Sequence, residues 1–260
     1  MKKIALTSLL AVAVAGAAHA ANTMDRNPLY RPAEGHFYSE TSLSSHSLAT
    51  DVVTLGETFG YGITDRLCVQ VSTSASEMDW FDAGSWNDAS IMLDYRIFGN
   101  TSWKMDVFGG YGMAPVWDDH RPFMATEDTT YGWALGVRGG YVTEDWTLSA
   151  HAAFMYSNSE SFNWGKDDPQ WENHWFNFGV AGHWTMSDMW SAVASADYYK
   201  LMDRYSETTG WWDLQFGLNA NIDDTKYVGA YIEKEVAHVA EGRWELTDGF
   251  GFGVKFGIDF

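Results

Sequence analysis

The last eleven residues, Phe250-Gly-Phe-Gly-Val-Lys-Phe-Gly-Ile-Asp-Phe260, place a bulky apolar side chain at every second position. The positions between them carry Gly251, Gly253, Lys255, Gly257 and Asp259, which are small or charged. Because successive side chains of a β-strand point to opposite faces, this alternation predicts a strand with one apolar face and one polar face. The end of the chain therefore indicates a β protein and assigns a chemical character to each face of its sheet.

The same alternation recurs along most of the chain from about residue 53 onward, and no segment keeps the 3.6-residue period of an amphipathic helix. Clear examples are residues 103–113, 131–141 and 212–222. An opening strand near residues 35–45 is weaker, and the parity of residues 227–236 is ambiguous. The pattern predicts an all-β chain of ten to fourteen antiparallel strands, with twelve as the best count.

The connections between these strands alternate in length. Tight turns are predicted at residues 64–66, 99–100, 143–145, 186–188 and 223–224, and longer polar stretches at 77–85, 117–128, 157–172 and 201–209. In an up-and-down barrel, alternating connections place the short turns at one end and the long loops at the other. A Greek-key sandwich would not sort its connections this way, so the sequence favours a single barrel.

Composition excludes several classes of protein. The chain has 260 residues and a formal net charge of -19, which disfavours a basic nucleic-acid-binding protein. Beyond the first twenty residues no apolar stretch approaches the ~18 residues of a membrane-spanning helix. Cys68 is the only cysteine, so neither an intramolecular disulfide nor a cysteine zinc site is expected.

The first residues have the pattern of a secretory signal. Lys2 and Lys3 precede an apolar run over residues 4–16, and Ala18-His19-Ala20 supplies small side chains where a signal peptidase cleaves. We expect residues 1–20 to be a cleaved signal peptide, 21–34 a short periplasmic N-terminal segment, and 35–260 the barrel domain.

Alternation alone does not say which face of a barrel is apolar, since soluble barrels turn it inward and membrane barrels outward. Each strand has about ten alternating residues, the length that a tilted strand needs to cross a bilayer. Large aromatic side chains fall at strand ends, as expected of a girdle at the lipid headgroups. The predicted girdle consists of Trp103, Tyr141, Trp146, Trp184, Trp190 and Trp212. The apolar faces are therefore expected to point outward into lipid.

The carboxy-terminal strand, together with the leader and the alternating strands, resembles Gram-negative outer-membrane β-barrel proteins of the porin or transporter type. The segment Gly60-Tyr-Gly-Ile-Thr-Asp-Arg66 is also similar to a strand-turn signature of small barrels of this kind. The resemblance implies an outer-membrane location, with the lipid bilayer and lipopolysaccharide as surroundings. It also implies that Phe256, Ile258 and Phe260 form a signal for the barrel assembly machinery.

The polar parity of the strands is then expected to line the lumen. Its candidate residues are Asp94, Arg96, Lys104, Asp106, Arg138, His151, Asn177, His183, Asp197, Asp213, Gln215, Asn219 and Lys255. Fixed charges of this kind can line a conduit that selects small polar solutes by sign and hydrogen bonding. They can equally form an ion-pair network that fills a small barrel, because twelve strands lie between the filled eight-stranded and the open sixteen-stranded cases.

Other polar residues suggest binding or hydrolysis. Asp118, Asp119 and His120 share one loop, which suggests an outer-membrane hydrolase or a site for divalent cations. Ser44, Ser45 and His46 supply the residue types of an outer-membrane phospholipase. No cofactor motif is found, and neither a metal site nor an enzyme is expected. The sequence favours passage or binding of small polar solutes, with a non-transporting structural or adhesive barrel as the alternative and a hydrolase as the third hypothesis.

Overall fold

A computed structural model describes residues 27–78, 83–115, 129–159, 171–202, 208–240 and 243–260, and all of its regular elements are strands. In chain order they are β1 (Phe37–His46), β2 (Ala49–Gly62), β3 (Leu67–Met78), β4 (Ala83–Gly99), β5 (Trp103–Pro115), β6 (Thr129–Val142), β7 (Trp146–Ser159), β8 (Trp171–Thr185), β9 (Trp190–Leu201), β10 (Thr208–Asn221), β11 (Lys226–Ala240), β12 (Arg243–Leu246) and β13 (Gly251–Asp259). No helix within these ranges is long and apolar enough to span a membrane.

The strands form one closed antiparallel barrel. Each strand from β1 to β11 pairs with its neighbours in sequence, and β13 pairs with both β11 and β1. Reciprocal backbone hydrogen bonds between Phe37 and Phe260, with nitrogen–oxygen distances of 2.7 and 2.8 Å, stabilise the junction between the first and last strands. Among the described strands, closure gives every strand except the four-residue β12 a partner on both edges, as a lipid environment requires.

The short elements β12 and β13 together occupy one strand position in the barrel, so the thirteen elements form a twelve-stranded barrel. β12 pairs with the last residues of β11, and β13 pairs with the first half of the same strand. Between them the chain leaves the ladder at residues 247–250, where Gly249 has a φ of 78°. Lys234 donates to the freed carbonyl oxygens of Thr247 and Gly249 at 3.1 and 2.7 Å. The predicted twelve-stranded up-and-down barrel is confirmed.

The apolar parity points outward. Leu135, Val180 and Val254 are among the large apolar side chains exposed on the outer surface, whereas Lys255, next to Val254, is buried inside. In a soluble barrel the exposures would be reversed. The barrel therefore presents an apolar belt to its surroundings, as a membrane barrel does.

Two of the predicted connections differ from the structure. The stretch 77–85, predicted as a long loop, belongs mostly to β3 and β4, with only residues 79–82 between them. Residues 47–48 form a two-residue connection at the end where long loops were expected. The tight turns near residues 63–66, 100–102, 143–145, 186–189 and 222–225 do share one end, which we call the short-turn end.

Candidate functional site

The structure places the candidate lumen residues on the inward-facing parity. Asp94, Asp106, Arg138, His151, Asn177, Asp197, Asn219 and Lys255 are buried in the lumen. Arg96, Lys104, His183, Asp213 and Gln215 are partly exposed there. The interior has four regions, described in turn below.

The first region is an ion-pair network on β4, β5 and β6. Arg96 donates from Nε and Nη2 to the two carboxylate oxygens of Asp106, at 2.7 and 3.1 Å. Arg138 donates from Nη2 to Asp94 and, at 3.4 Å, to Asp106. Asp106 is fully buried, so its charge is compensated by guanidinium groups rather than by water. This network ties three adjacent strands together from inside the lumen.

The second region is a buried cluster of His151, Asn177 and Asp197 on β7, β8 and β9. The Nε2 atom of His151 lies 2.6 Å from Asn177 Oδ1 and 3.2 Å from Asp197 Oδ1. A Cβ atom at Gly179 would lie within about 2.2 Å of both His151 and Asp197. Glycine at this position therefore gives the two side chains room to meet, and their polar atoms are satisfied within the wall.

The third region is an apolar cluster inside the lumen, which the sequence pattern did not predict. Its members are Met92, Phe108, Ala134, Ala153, Met155, Trp175, Tyr199, Leu201 and Trp211. The ring of Trp211 stacks on Tyr199 at a centroid distance of 4.8 Å and meets Trp175 edge to face at 5.1 Å. Bulky side chains at these inward positions fill the half of the lumen bounded by β4–β10.

The fourth region is the opposite wall, made by β11, β13, β1, β2 and β3. Here the inward side chains are mostly small hydroxyl groups and acids that stay partly exposed inside the barrel. We call this surface the vestibule, defined by Glu40, Ser42, Ser44, Thr58, Ser72, Ser74 and Glu233. Thr58 and Ser72 hydrogen-bond each other across the strands at 3.0 Å. The vestibule is therefore polar, acidic and open to water.

Two tyrosine rings narrow the vestibule toward the short-turn end. Tyr38 lies flat over Gly60, where a Cβ atom would fall 1.7 Å from the ring, and Tyr227 lies over Gly257 in the same way. The hydroxyl of Tyr227 donates to the carboxylate of Glu40. Both rings are buried. The two glycines thus let aromatic rings lie against the wall and narrow the lumen at its base.

The other predicted residues have simpler surroundings. The residues of the predicted aromatic girdle are all exposed on the outer surface, with Trp146 and Trp184 stacked in parallel at 5.1 Å. Phe256 and Phe260 also point outward on the last strand. Ser45 donates to backbone oxygens of residues 49 and 52, and His46 Nδ1 accepts from the Leu48 amide, so both serve the first hairpin. Asp118, Asp119 and His120 lie outside the described residues.

The N-terminal segment supplies a part of the lumen whose residues the strand pattern does not identify. Leu29 is fully buried inside the barrel, and Arg31 lies 3.4 Å from the Asp94 carboxylate. Neither residue belongs to an alternating run, so periodicity carries no signal for them.

Comparison with known proteins supports the fold and goes no further. No family model matches the chain, and no curated protein matches it by sequence. Among solved structures, the NanC porin superposes with a TM-score of 0.61 at 8% identity, over 85% of this chain and 98% of that one. The translocator domain of autotransporter NalP from Neisseria meningitidis has a TM-score of 0.58 at 10% identity, over 98% of both chains. The KdgM porin, solved with disordered oligogalacturonate, has a TM-score of 0.55 at 7% identity, over 86% of this chain and 99% of that one. This protein, a closed cylinder of twelve antiparallel strands with an apolar outer belt, therefore has the same fold as these porins and this translocator domain.

Proposed function

We propose that the barrel passes small polar solutes across the outer membrane, with a preference for cations, along the vestibule side of its lumen. The supporting observation is the unequal packing of the two halves of the interior. Most inward side chains on β4–β10 are buried, with Trp175 only 2% exposed, whereas Glu233 on the vestibule wall is exposed within the lumen. A solute would therefore find water and polar groups on one side only.

Charge supports the preference for cations. The described vestibule wall carries the acids Glu40, Glu233 and Glu235 on its inward parity, against the single cation Lys255. Lys255 is buried, and its ammonium group lies 5.4 Å from the centre of the Tyr231 ring. Its positive charge is therefore not exposed along the proposed solute path. Fixed acids along a narrow aqueous path raise the local concentration of cations and exclude anions.

The test is single-channel recording of the purified, folded protein in planar bilayers under a salt gradient. We expect small unitary steps with a reversal potential on the cation side, and Glu233→Gln should move that potential toward zero. Glu144→Gln is the matched control, because Glu144 is an exposed acid in a turn at the short-turn end. A reversal potential that Glu233→Gln leaves unchanged would reject the assigned path.

A second candidate function, a filled barrel with a structural or adhesive role, is favoured by the apolar cluster around Trp175 and Trp211. This alternative is tested with correctly folded protein, both as wild type and as a variant in which residues 27–34 are displaced from the lumen. If neither protein gives unitary steps or solute-driven vesicle swelling, passage is rejected and the filled barrel is supported.

A further inference from the structure

Residues 27–34 run from the wall at β2 into the lumen at the short-turn end. Glu34 forms a parallel bridge with Gly62, the last residue of β2. A Cβ atom at Gly62 would fall 2.0 Å from the carbonyl oxygen of Ala33 and 2.7 Å from that of Pro32. The absence of a side chain at Gly62 therefore lets the segment lie directly against the strand and turn inward.

The inner end of the segment contacts the far wall. Its tip is a local turn, in which Asn27 accepts from the backbone amides of Leu29 and Tyr30, each at 2.8 Å. The carbonyl oxygen of Leu29 accepts from Arg96 Nη2 at 2.9 Å, and its side chain lies against Gly140 on β6. The segment therefore crosses the lumen from β2 to β4 and β6.

Two further side chains hold the segment. The Nη1 atom of Arg31 lies 3.4 Å from Asp94 and 3.8 Å from Asp106, and its Nη2 donates to the Asp94 carbonyl oxygen at 3.2 Å. Tyr30 donates to Asp259 at 2.9 Å and packs edge to face on Tyr38, one of the two rings that narrow the vestibule. The segment thus covers the base of the vestibule as well as the ion-pair network.

The charges of the network show that the barrel wall does not need the segment. Asp94 and Asp106 are already paired with Arg138 and Arg96 on the wall, so Arg31 is a third guanidinium for two carboxylates. Its withdrawal leaves each buried acid with a cation. Removing one partner of a buried pair is costly only when it leaves the other charge uncompensated.

We infer that residues 27–34 are a releasable plug, which closes the short-turn end of the solute path and opens it when Arg31 leaves Asp94. This inference rests on the proposed function for its consequence, since an opened base matters only if solutes pass. The movement of the segment itself is independent of passage and can be measured separately.

Cys68, the only cysteine of the chain, is a built-in reporter of that movement. It is buried on the inward face of β3, directly opposite Asp94 in the β3–β4 ladder. The experiment measures the rate at which a charged methanethiosulfonate reagent modifies Cys68 in the folded protein in lipid vesicles. Wild type is compared with Arg31→Gln, which removes the charged contact, and with Gly62→Ala, which displaces the segment sterically and leaves all charges in place.

We expect both variants to raise the modification rate about tenfold or more, because charge-assisted buried hydrogen bonds are among the stronger ones that hold the segment. Arg66→Gln is the matched control, because Arg66 is exposed in the neighbouring turn, and it should not change the rate. Equal rates in wild type and in both variants would overturn the plug. Faster modification without any conductance would keep the plug and reject solute passage.

Discussion

Replacement of Trp175 by alanine tests whether half of the lumen is packed or wet. Trp175 is 2% exposed and its ring meets that of Trp211 at 5.1 Å. Truncating a buried tryptophan to alanine costs about 3 to 5 kcal/mol, of which an aromatic pair accounts for about 0.5 to 1.5 kcal/mol. We therefore expect Trp175→Ala to lower the free energy of unfolding by about 3 kcal/mol or more.

The assay is urea unfolding of the protein in lipid vesicles, followed by circular dichroism. Trp184→Ala is the matched control, because Trp184 is exposed on the outer surface, where its ring stacks on that of Trp146. Its loss is expected to cost about 0.5 to 1.5 kcal/mol. If the two variants lose the same small amount, the interior around Trp175 is hydrated and the division of the lumen into a filled half and a vestibule is wrong.

Two other substitutions test features of the outer wall and the turns. Glu57 lies between Leu55 and Phe59 on the outer face of β2 and accepts hydrogen bonds from Ser39 and Thr41 at 2.7 and 2.5 Å. Since a carboxylate is unfavourable on a lipid-facing surface, Glu57→Leu should raise the free energy of unfolding in vesicles by about 1 kcal/mol, and a loss of stability would contradict the exposure of Glu57 to lipid. The pKa of Asp223 lies below its ordinary value because Lys226 and the neighbouring threonine donate hydrogen bonds to it. Since the folded-state pKa is depressed, the stability difference between wild type and Asp223→Asn should be fully present above about pH 4 and shrink as the pH falls toward the folded-state pKa. A difference that does not vary with pH, measured by urea midpoints, would exclude this ionisation.

The barrel was predictable because a period of two leaves a side chain only two directions. Once Val254 is known to face lipid, Lys255 must face the lumen. The prediction failed at 77–85 because Glu77, Asp79 and Asp82 place charges on both parities, so the alternation disappears where β3 ends and β4 begins. A polar sequence on both faces looks like a loop even when its backbone remains paired.

The partners inside the lumen were not predictable from the pattern. Parity places Asp94 and Arg138 on the same side of the wall, but their pairing across an intervening strand depends on strand tilt and register. The break at residues 247–250 depends on Lys234 satisfying two freed carbonyl groups, which is a contact between distant residues. Contacts of this kind require the assembled cylinder.

The position of Leu29 in the chain has a consequence for biogenesis. Leu29 precedes every strand, yet the wall that receives it is formed by residues up to Gly140 on β6 and by Arg96 on β4. The surface that contacts Leu29 therefore does not exist until the first six strands, half of the barrel, have paired. The segment before the first strand can therefore be seated only after β6 is in place, and a chain truncated before β6 lacks the wall that receives Leu29.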